Sequence, residues 1–244
     1  VSKVKVPLTT SPRFQKEAAE IALQMSQFSV DELERLLRVN AKIAVENYKR
    51  YQAFHAEATP ELPALLAYTG IVFKRLNPKD FSAEDFGYAQ EHLRLTSFCY
   101  GLLRPLDVIR AYRLEGDVVL PELGNQTLFS YWRSRLTDTF IEDIRSAGGI
   151  LCNLASDEMK SLFDWKRVES EVRVVTPEFH VWKNGKLATI VVYTKMSRGE
   201  MTRFILKNKI GNPEELKGFS WEGFEFDESL SDEKKLVFIN GMGE

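Results

Sequence analysis

Apolar positions recur at helical spacing through the first part of the chain. Phe14, Ala18, Ile21, Ala22 and Met25 fall on one face of a helix predicted over 14–28. Ser29, followed three residues later by Glu32, has the form of a capping box and predicts a second helix carrying Leu33, Leu36 and Leu37. Ile43, Ala44, Asn47 and Tyr51 continue the pattern over 41–54. Ser82 opens a further helix, with Asp85 at the third position after it.

The second half alternates strands and helices. The run 149–154 is apolar and bounded by Gly-Gly and Ser156, as a short buried strand would be, and 171–175 alternates with period two. Strand-like runs over 178–182 and 187–193 flank Asn184-Gly185, a pair that tolerates positive φ and so predicts a hairpin. A turn at Met196-Ser197-Arg198-Gly199 then leads into a helix over 200–209, with Met201, Phe204, Ile205 and Leu206 toward the core. Asn212-Pro213 reads as an N-cap with proline at the first helical position, and Leu236 to Ile239 as a last strand. This predicts the α+β class: a mixed sheet flanked by helices, a helix-rich first half and a strand hairpin near 178–193. No repeat or linker rich in Pro, Gly or Ser interrupts the chain, so one domain over 1–244 is expected.

Composition narrows the functional classes. Hydrophobic residues at 44% and charged residues at 28% argue against wholesale disorder. No apolar run approaches the roughly 20 residues that span a bilayer, so no membrane partner is expected. No signal peptide is expected from the opening residues, and a start at Val1 in place of Met leads to the expectation that the native start lies upstream. Cys99 and Cys152 stand in apolar surroundings without metal-like spacing, which suits buried thiols in a reducing compartment and makes the cytoplasm the expected location. His55, His92 and His180 are scattered, so neither a metal site nor a cofactor is expected.

Charge is less ordinary than composition. The stretch 183–209 carries Lys183, Lys186, Lys195, Arg198, Arg203, Lys207 and Lys209 against the single acid Glu200, in a chain of net charge −2. Such a surplus suits an anionic partner. The alternative lies directly downstream: from Asn212 to Glu233, eight acids face only Lys217, and this block could neutralise the basic one.

Two further constellations could carry chemistry. From His92 to Glu115, Arg94, Arg104, Arg110 and Arg113 interleave with Phe98, Tyr100 and Tyr112. Guanidinium groups bind phosphate through a planar fork and aromatic rings stack on bases, a combination suited to nucleic acid. The plainer reading puts Phe98, Tyr100 and Leu102 in the core and pairs Arg104 with Asp107 or Glu115. The second constellation is Asn153-Leu-Ala-Ser156-Asp157-Glu158, where a strand ends and a helix starting at Ser156 would offer an anion its N-terminus. Here too a plainer reading exists, with Ser156 as N-cap and two acids favoured by the helix dipole.

These blocks resemble the YaaA family of bacterial peroxide stress resistance proteins. The resemblance rests on Glu91-His-Leu-Arg-Leu, Tyr100-Gly-Leu-Leu-Arg-Pro-Leu-Asp107, Tyr112-Arg-Leu-Glu115, Leu128-Phe-Ser-Tyr-Trp132, Asn153-Leu-Ala-Ser156 with Glu158, and Tyr193-Thr-Lys195 with Arg198-Gly199 and Met201. Order and spacing agree over nearly the whole chain. The resemblance implies a cytoplasmic α+β protein with a helix-hairpin-helix-like element that limits iron-linked damage under peroxide. It also implies a positively charged cleft associated with DNA binding, and no established catalysis. The matched cations are Arg94, Arg104, Arg113, Lys195, Arg198 and Arg203, with His92, Tyr100, Tyr112, Glu115, Asn153, Ser156 and Glu158 as supporting positions.

Departures from the pattern bear on the site. Met196 stands where the family has a second lysine, Met159-Lys160 follows the Ser-x-Glu motif where aromatic residues are usual, and Gly116-Asp117 replaces Met-Gly. The family's N-terminal strand, with its Ser-Pro-Ala-Lys-Thr motif, has no counterpart in this sequence. The expected partner is DNA, held by its backbone; a small anionic ligand is the alternative. An enzyme acting on an anionic or nucleotide-like substrate would clamp it with Arg94, Arg104 and Lys195, and use Glu115, Glu158 or His92 for proton transfer. An iron-handling protein would draw on Glu115 and Glu158. The sequence does not set the oligomeric state.

Overall fold

The computed structural model describes residues 4–241. Its helices are α1 (Gln15–Met25), α2 (Val30–Leu37), α3 (Ala41–Ala53), α4 (Ala64–Ala67), α5 (Ile71–Leu76), α6 (Ala83–His92), α7 (Leu128–Ser146), α8 (Trp165–Glu171) and α9 (Val191–Asn208). Its strands are β1 (Leu62–Pro63), β2 (Leu95–Ser97), β3 (Gly101–Leu103), β4 (Val108–Ile109), β5 (Val119–Leu120), β6 (Gln126–Thr127), β7 (Ile150–Cys152), β8 (Arg173–Lys183), β9 (Lys186–Ala188), β10 (Phe224–Phe226) and β11 (Lys235–Asn240). The α+β class expected from the sequence is what the chain adopts. Two compact units divide it. One comprises Val1–Ala67, Leu93–Phe140 and Asp157–Val168; the other comprises Tyr68–His92, Ile141–Ser156 and Glu169–Glu244.

The first unit is built from helices and short antiparallel ladders. Ser29 and Glu32 form the capping box that starts α2, each accepting from the other's backbone N–H. Ala18, Ile21, Ala22 and Met25 of α1 are fully buried, as their spacing requires. Trp132 is also fully buried, and its indole N–H donates to the Phe98 carbonyl at 2.8 Å. Gly101 sits under this ring at φ +70°, where a Cβ would lie 2.7 Å from the indole, so only glycine fits.

The second unit carries the mixed sheet. Its order is β10-β11-β8-β7, with β9 also on β8. β8 runs parallel to both β7 and β11, while β9 and β10 are antiparallel to their neighbours. Phe179 of β8 stacks on Phe238 of β11 at 5.4 Å, and Phe219 and Phe224 close around them. Asn184-Gly185 makes the hairpin turn, both residues at positive φ. Behind it, the Thr189 hydroxyl and the Glu178 carboxylate bracket the His180 ring, each at 3.0 Å, and tie the hairpin stem to β8.

The second strand of that hairpin is shorter than expected. It ends at Ala188, and Val191-Val192-Tyr193 form the first turn of α9. This helix then runs without interruption through Met196-Ser197-Arg198-Gly199, where a turn was expected. The cause is the face that α9 buries. Ser197, Gly199 and Thr202 are buried beside Met201 and Leu206, so small and polar residues occupy positions where apolar ones would have marked a helix. Gly199 is a contact point and makes no turn: a Cβ there would lie 2.3 Å from the Val72 carbonyl oxygen and 2.8 Å from the Arg75 Cβ, so α5 presses directly on the α9 backbone. The chain after Ser156 also differs from expectation. Asp157–Leu162 is a 3₁₀ segment, which lacks the extended dipole of a long α-helix.

Replacing Gly199 with Ala is expected to lower stability by about 1–3 kcal/mol through overpacking. Gly211→Ala, with nothing within 4 Å of its Cβ position, is the control. Urea denaturation of the two variants checks this.

Candidate nucleic-acid interface

The six matched cations fall three in each unit. In the first unit, Arg104 does not project freely. Its guanidinium donates to Asp107 at 2.9 and 3.2 Å and to the Ser11 carbonyl at 3.2 Å. Asp107 is fully buried and also accepts from the Thr10 hydroxyl at 2.6 Å and the Arg104 backbone N–H at 2.8 Å. This carboxylate therefore holds the Arg104-Pro-Leu-Asp107 loop, and Arg104 completes its hydrogen bonding. Arg94 donates to the neighbouring Leu93 carbonyl at 2.9 Å. Arg113 is exposed and pairs loosely with Glu115 at 3.4 Å, while its carbonyl accepts from the buried Tyr51 hydroxyl.

The aromatic residues of this block are structural. Phe98, Tyr100 and Leu102 are buried, and the Tyr100 hydroxyl accepts from the Arg110 backbone N–H at 3.0 Å. Tyr112 exchanges a hydrogen bond with Ser97 at 2.5 Å and packs on Tyr100 with ring centroids 5.7 Å apart. The Tyr100 ring is buried and presents no open face for a base. Of the other supporting positions, Glu158 is exposed on the 3₁₀ segment.

In the second unit, His92 is exposed at the end of α6, stacked on Tyr88 at 4.0 Å. Asn153 and Ser156 follow β7. Asn153 is buried; its side-chain oxygen accepts from the Ala155 N–H at 3.3 Å, and its Nδ2 has no hydrogen-bond partner. Ser197 of α9 is likewise buried with an unsatisfied hydroxyl.

The basic stretch 183–209 divides into two halves with different electrostatics. In the C-terminal half, Arg203 grips Asp80 through two bonds, at 2.8 and 2.6 Å, and donates to the Leu76 and Asn77 carbonyls. That grip holds the Asp80 carboxyl below its ordinary range. Lys207 and Lys209 both bind Asp85, one to each oxygen. Burial pushes the Asp85 carboxyl up, but the two ammonium groups and the Ser82 N–H and hydroxyl outweigh it and leave the carboxyl strongly depressed. In the N-terminal half, Lys183, Lys186 and Lys195 are exposed, and among the described residues no carboxylate pairs with them. Arg198, between the halves, is partly buried, and its carbonyl accepts from the Thr202 hydroxyl.

The acidic block downstream does not supply these partners. Glu214 and Glu228 face Lys217, at 2.7 and 3.9 Å. Asp227, Asp232 and Glu215 accept hydrogen bonds within their own turns. The neutralising carboxylates come instead from the other direction along the chain, at Asp80 and Asp85. The sequence marks Asp85 only as the capping partner of Ser82, and nothing in it pairs either acid with the basic stretch, because the pairing spans more than 120 positions.

Cys99 is buried and Cys152 is half-buried. Burial pushes Cys152 up to about 12 and Cys99 further, which removes the thiolate that a peroxide-reactive cysteine requires. Two cavities of about 300 Å3 each lie within single units. One is lined by Arg173, Lys217, Glu214 and Glu228, the other by Arg133, Arg167, Asp138 and Asp164. Both mix the two signs of charge, and none of the six matched cations lines either. No helix among the described residues is long and apolar enough to cross a membrane.

A family model described as peroxide stress protein YaaA matches residues 2–230. A UPF0246 protein of Bacteroides thetaiotaomicron is 99% identical over 244 residues, covering 100% of this chain and 95% of that protein. A relative from Bacteroides fragilis is 78% identical over 244 residues, with the same coverage. A more distant one, from Crocosphaera subtropica, is 38% identical over 235 residues, covering 96% of this chain and 92% of its own.

The Asp85 clamp makes a testable contribution to stability. A carboxyl whose folded pKa is depressed stabilises fully above its unfolded value, about 3.9, and loses that contribution as pH falls toward the folded value. Asp85→Asn is therefore expected to destabilise the protein at neutral pH, with the gap to wild type closing below about pH 4. Urea melts of both proteins across this range measure the gap.

Proposed function

Because this chain belongs to the peroxide stress protein YaaA family, we propose that it protects the cell under peroxide by binding DNA non-specifically, through the phosphate backbone, in the cytoplasm. The observation that carries this reading is the exposed trio Lys183, Lys186 and Lys195, cations without an acidic partner among the described residues. Lysine is a compact, hydrated point charge on a flexible stem, suited to phosphate contact without sequence readout. Arg94, Arg113 and Arg198 are further candidates for phosphate contact. Arg104 and Arg203 are already committed to Asp107 and Asp80, and support the fold in this reading.

The same chemistry connects DNA binding to iron. A protein that neutralises phosphates releases the cations condensed on them. Ferrous iron among those cations is then displaced from the strand, which keeps peroxide chemistry away from the sugars and bases.

Binding should weaken steeply with salt, and Lys195→Glu should lower affinity on every sequence alike while making the salt slope shallower by about one unit. Lys217→Glu, in the acidic block, is the control. Fluorescence anisotropy of a labelled duplex across a salt series tests this; an affinity indifferent to salt overturns the reading. Wild type should also reduce nicking of plasmid DNA by ferrous iron and peroxide more than the Lys195 variant does.

A further inference from the structure

The tip of the β8–β9 hairpin stands clear of the protein. Its cross-strand pairs are Val181 with Ala188, Trp182 with Leu187 and Lys183 with Lys186, and Asn184-Gly185 closes it. Val181 is buried and Ala188 packs against the core, so that rung anchors the hairpin. Beyond it, every residue from Trp182 to Leu187 is exposed. Successive residues of a strand point to opposite faces, so Trp182 and Leu187 project from one face, and Lys183 and Lys186 from the other. With both faces in water, the end of the hairpin is a free two-stranded ribbon. The stem below it is braced. His180 and Thr189 bond across the strands, and Glu178 holds the other side of the imidazole. An arm fixed at its base loses little further freedom when it binds a partner.

The charges on this ribbon point to that partner. Like charges directly opposite on paired strands destabilise them, so the Lys183–Lys186 rung works against the hairpin unless an anion lies on it. No acid occurs between Trp182 and Leu187, and among the described residues no carboxylate pairs with either lysine. The opposite rung is apolar, with Trp182 41% and Leu187 38% exposed.

We propose that this arm enters the major groove of duplex DNA, with the Trp182–Leu187 rung on the base edges and Lys183 and Lys186 reaching the phosphates on either side; the proposal rests on the DNA-binding reading above. Size decides the groove. Paired strands lie about 4.8 Å apart, which makes the ribbon backbone roughly 10 Å across. The major groove is about 12 Å wide and about 8.5 Å deep, whereas the minor groove is about 6 Å wide. At about 3.3 Å per residue, two rungs and the turn reach about 10 Å, far enough to touch the groove floor. That floor carries the thymine methyl groups, an apolar contact for Trp182 and Leu187. Its walls are phosphate, and the long lysine stems let ammonium groups on the far face of the ribbon turn to them. A membrane fits less well, because a membrane-inserting loop leads with apolar residues and this one leads with Lys183-Asn184-Gly185-Lys186.

The test uses the whole chain and two forms of one labelled duplex, plain and with its cytosines replaced by hydroxymethylcytosine carrying glucose. The sugar fills the major groove and leaves the phosphate charge unchanged. Wild type should bind the glucose-bearing duplex about five-fold more weakly, or worse, because the groove floor is closed to it. Lys183→Glu with Lys186→Glu should weaken binding to the plain duplex about ten-fold and bind both duplexes alike. Leu187→Ser, which keeps every charge, should weaken plain-duplex binding about three-fold without changing its salt slope. Far-ultraviolet circular dichroism confirms that each variant is folded. Salt-dependent wild-type binding that is equal on the two duplexes overturns the proposal and leaves the DNA reading standing. So does a charge-reversed variant that keeps the wild-type preference, plain-duplex affinity unaffected by Leu187→Ser, or a single strand bound as tightly as the plain duplex. Binding to no DNA removes both readings.

Discussion

Asp85 lies almost out of solvent at the first turn of α6, with the ammonium groups of Lys207 and Lys209 on its two oxygens and the Ser82 backbone on the outer side. Two positive charges on one buried carboxylate hold the end of α9 against α6. Next to it, Asp80 receives Arg203 in a bidentate grip. Further back along the same helix, Gly199 lets the α5 backbone approach to contact distance. These three contacts fix the path of α9 in the second unit, and with it the direction in which the helix's first turn projects.

That arrangement also decides which positive charges are available to a partner. Read along the chain, 183–209 is one basic stretch. In the folded unit, three of its cations are engaged by acids from 80–85, while Lys183 and Lys186 at the hairpin turn and Lys195 near the start of α9 stay exposed. The acidic block after Asn212, the obvious counterweight by position, serves its own short turns and Lys217. Sequence adjacency of whole charge blocks is a poor guide here because a salt bridge needs side chains within about 4 Å, and position along the chain does not set that distance for segments the fold carries apart.

The first unit gives a parallel lesson. The interleaved arginines and aromatics between His92 and Glu115 have the composition of a nucleic-acid surface, yet Tyr100 and Phe98 are core and Arg104 serves a buried aspartate. The same planar fork that suits a phosphate suits a carboxylate equally well. Composition cannot separate the two uses, and burial can. Trp182, by contrast, is half exposed on the face of the hairpin opposite core-facing Val181.

The sequence by itself determined the α+β class, the capped helices, the Asn-Gly hairpin and the family. Each of these is written in local signals: apolar period, cap chemistry, a turn pair and motif spacing. It misplaced the start of α9, because Ile190-Val191-Val192 favour a strand locally and the helix buries serine, glycine and threonine, which carry no apolar period. Only the tertiary structure decided which cations are paired and which are free to act. Charge neutralisation depends on distance in space, and the acids that matter lie more than 120 positions from the bases they hold.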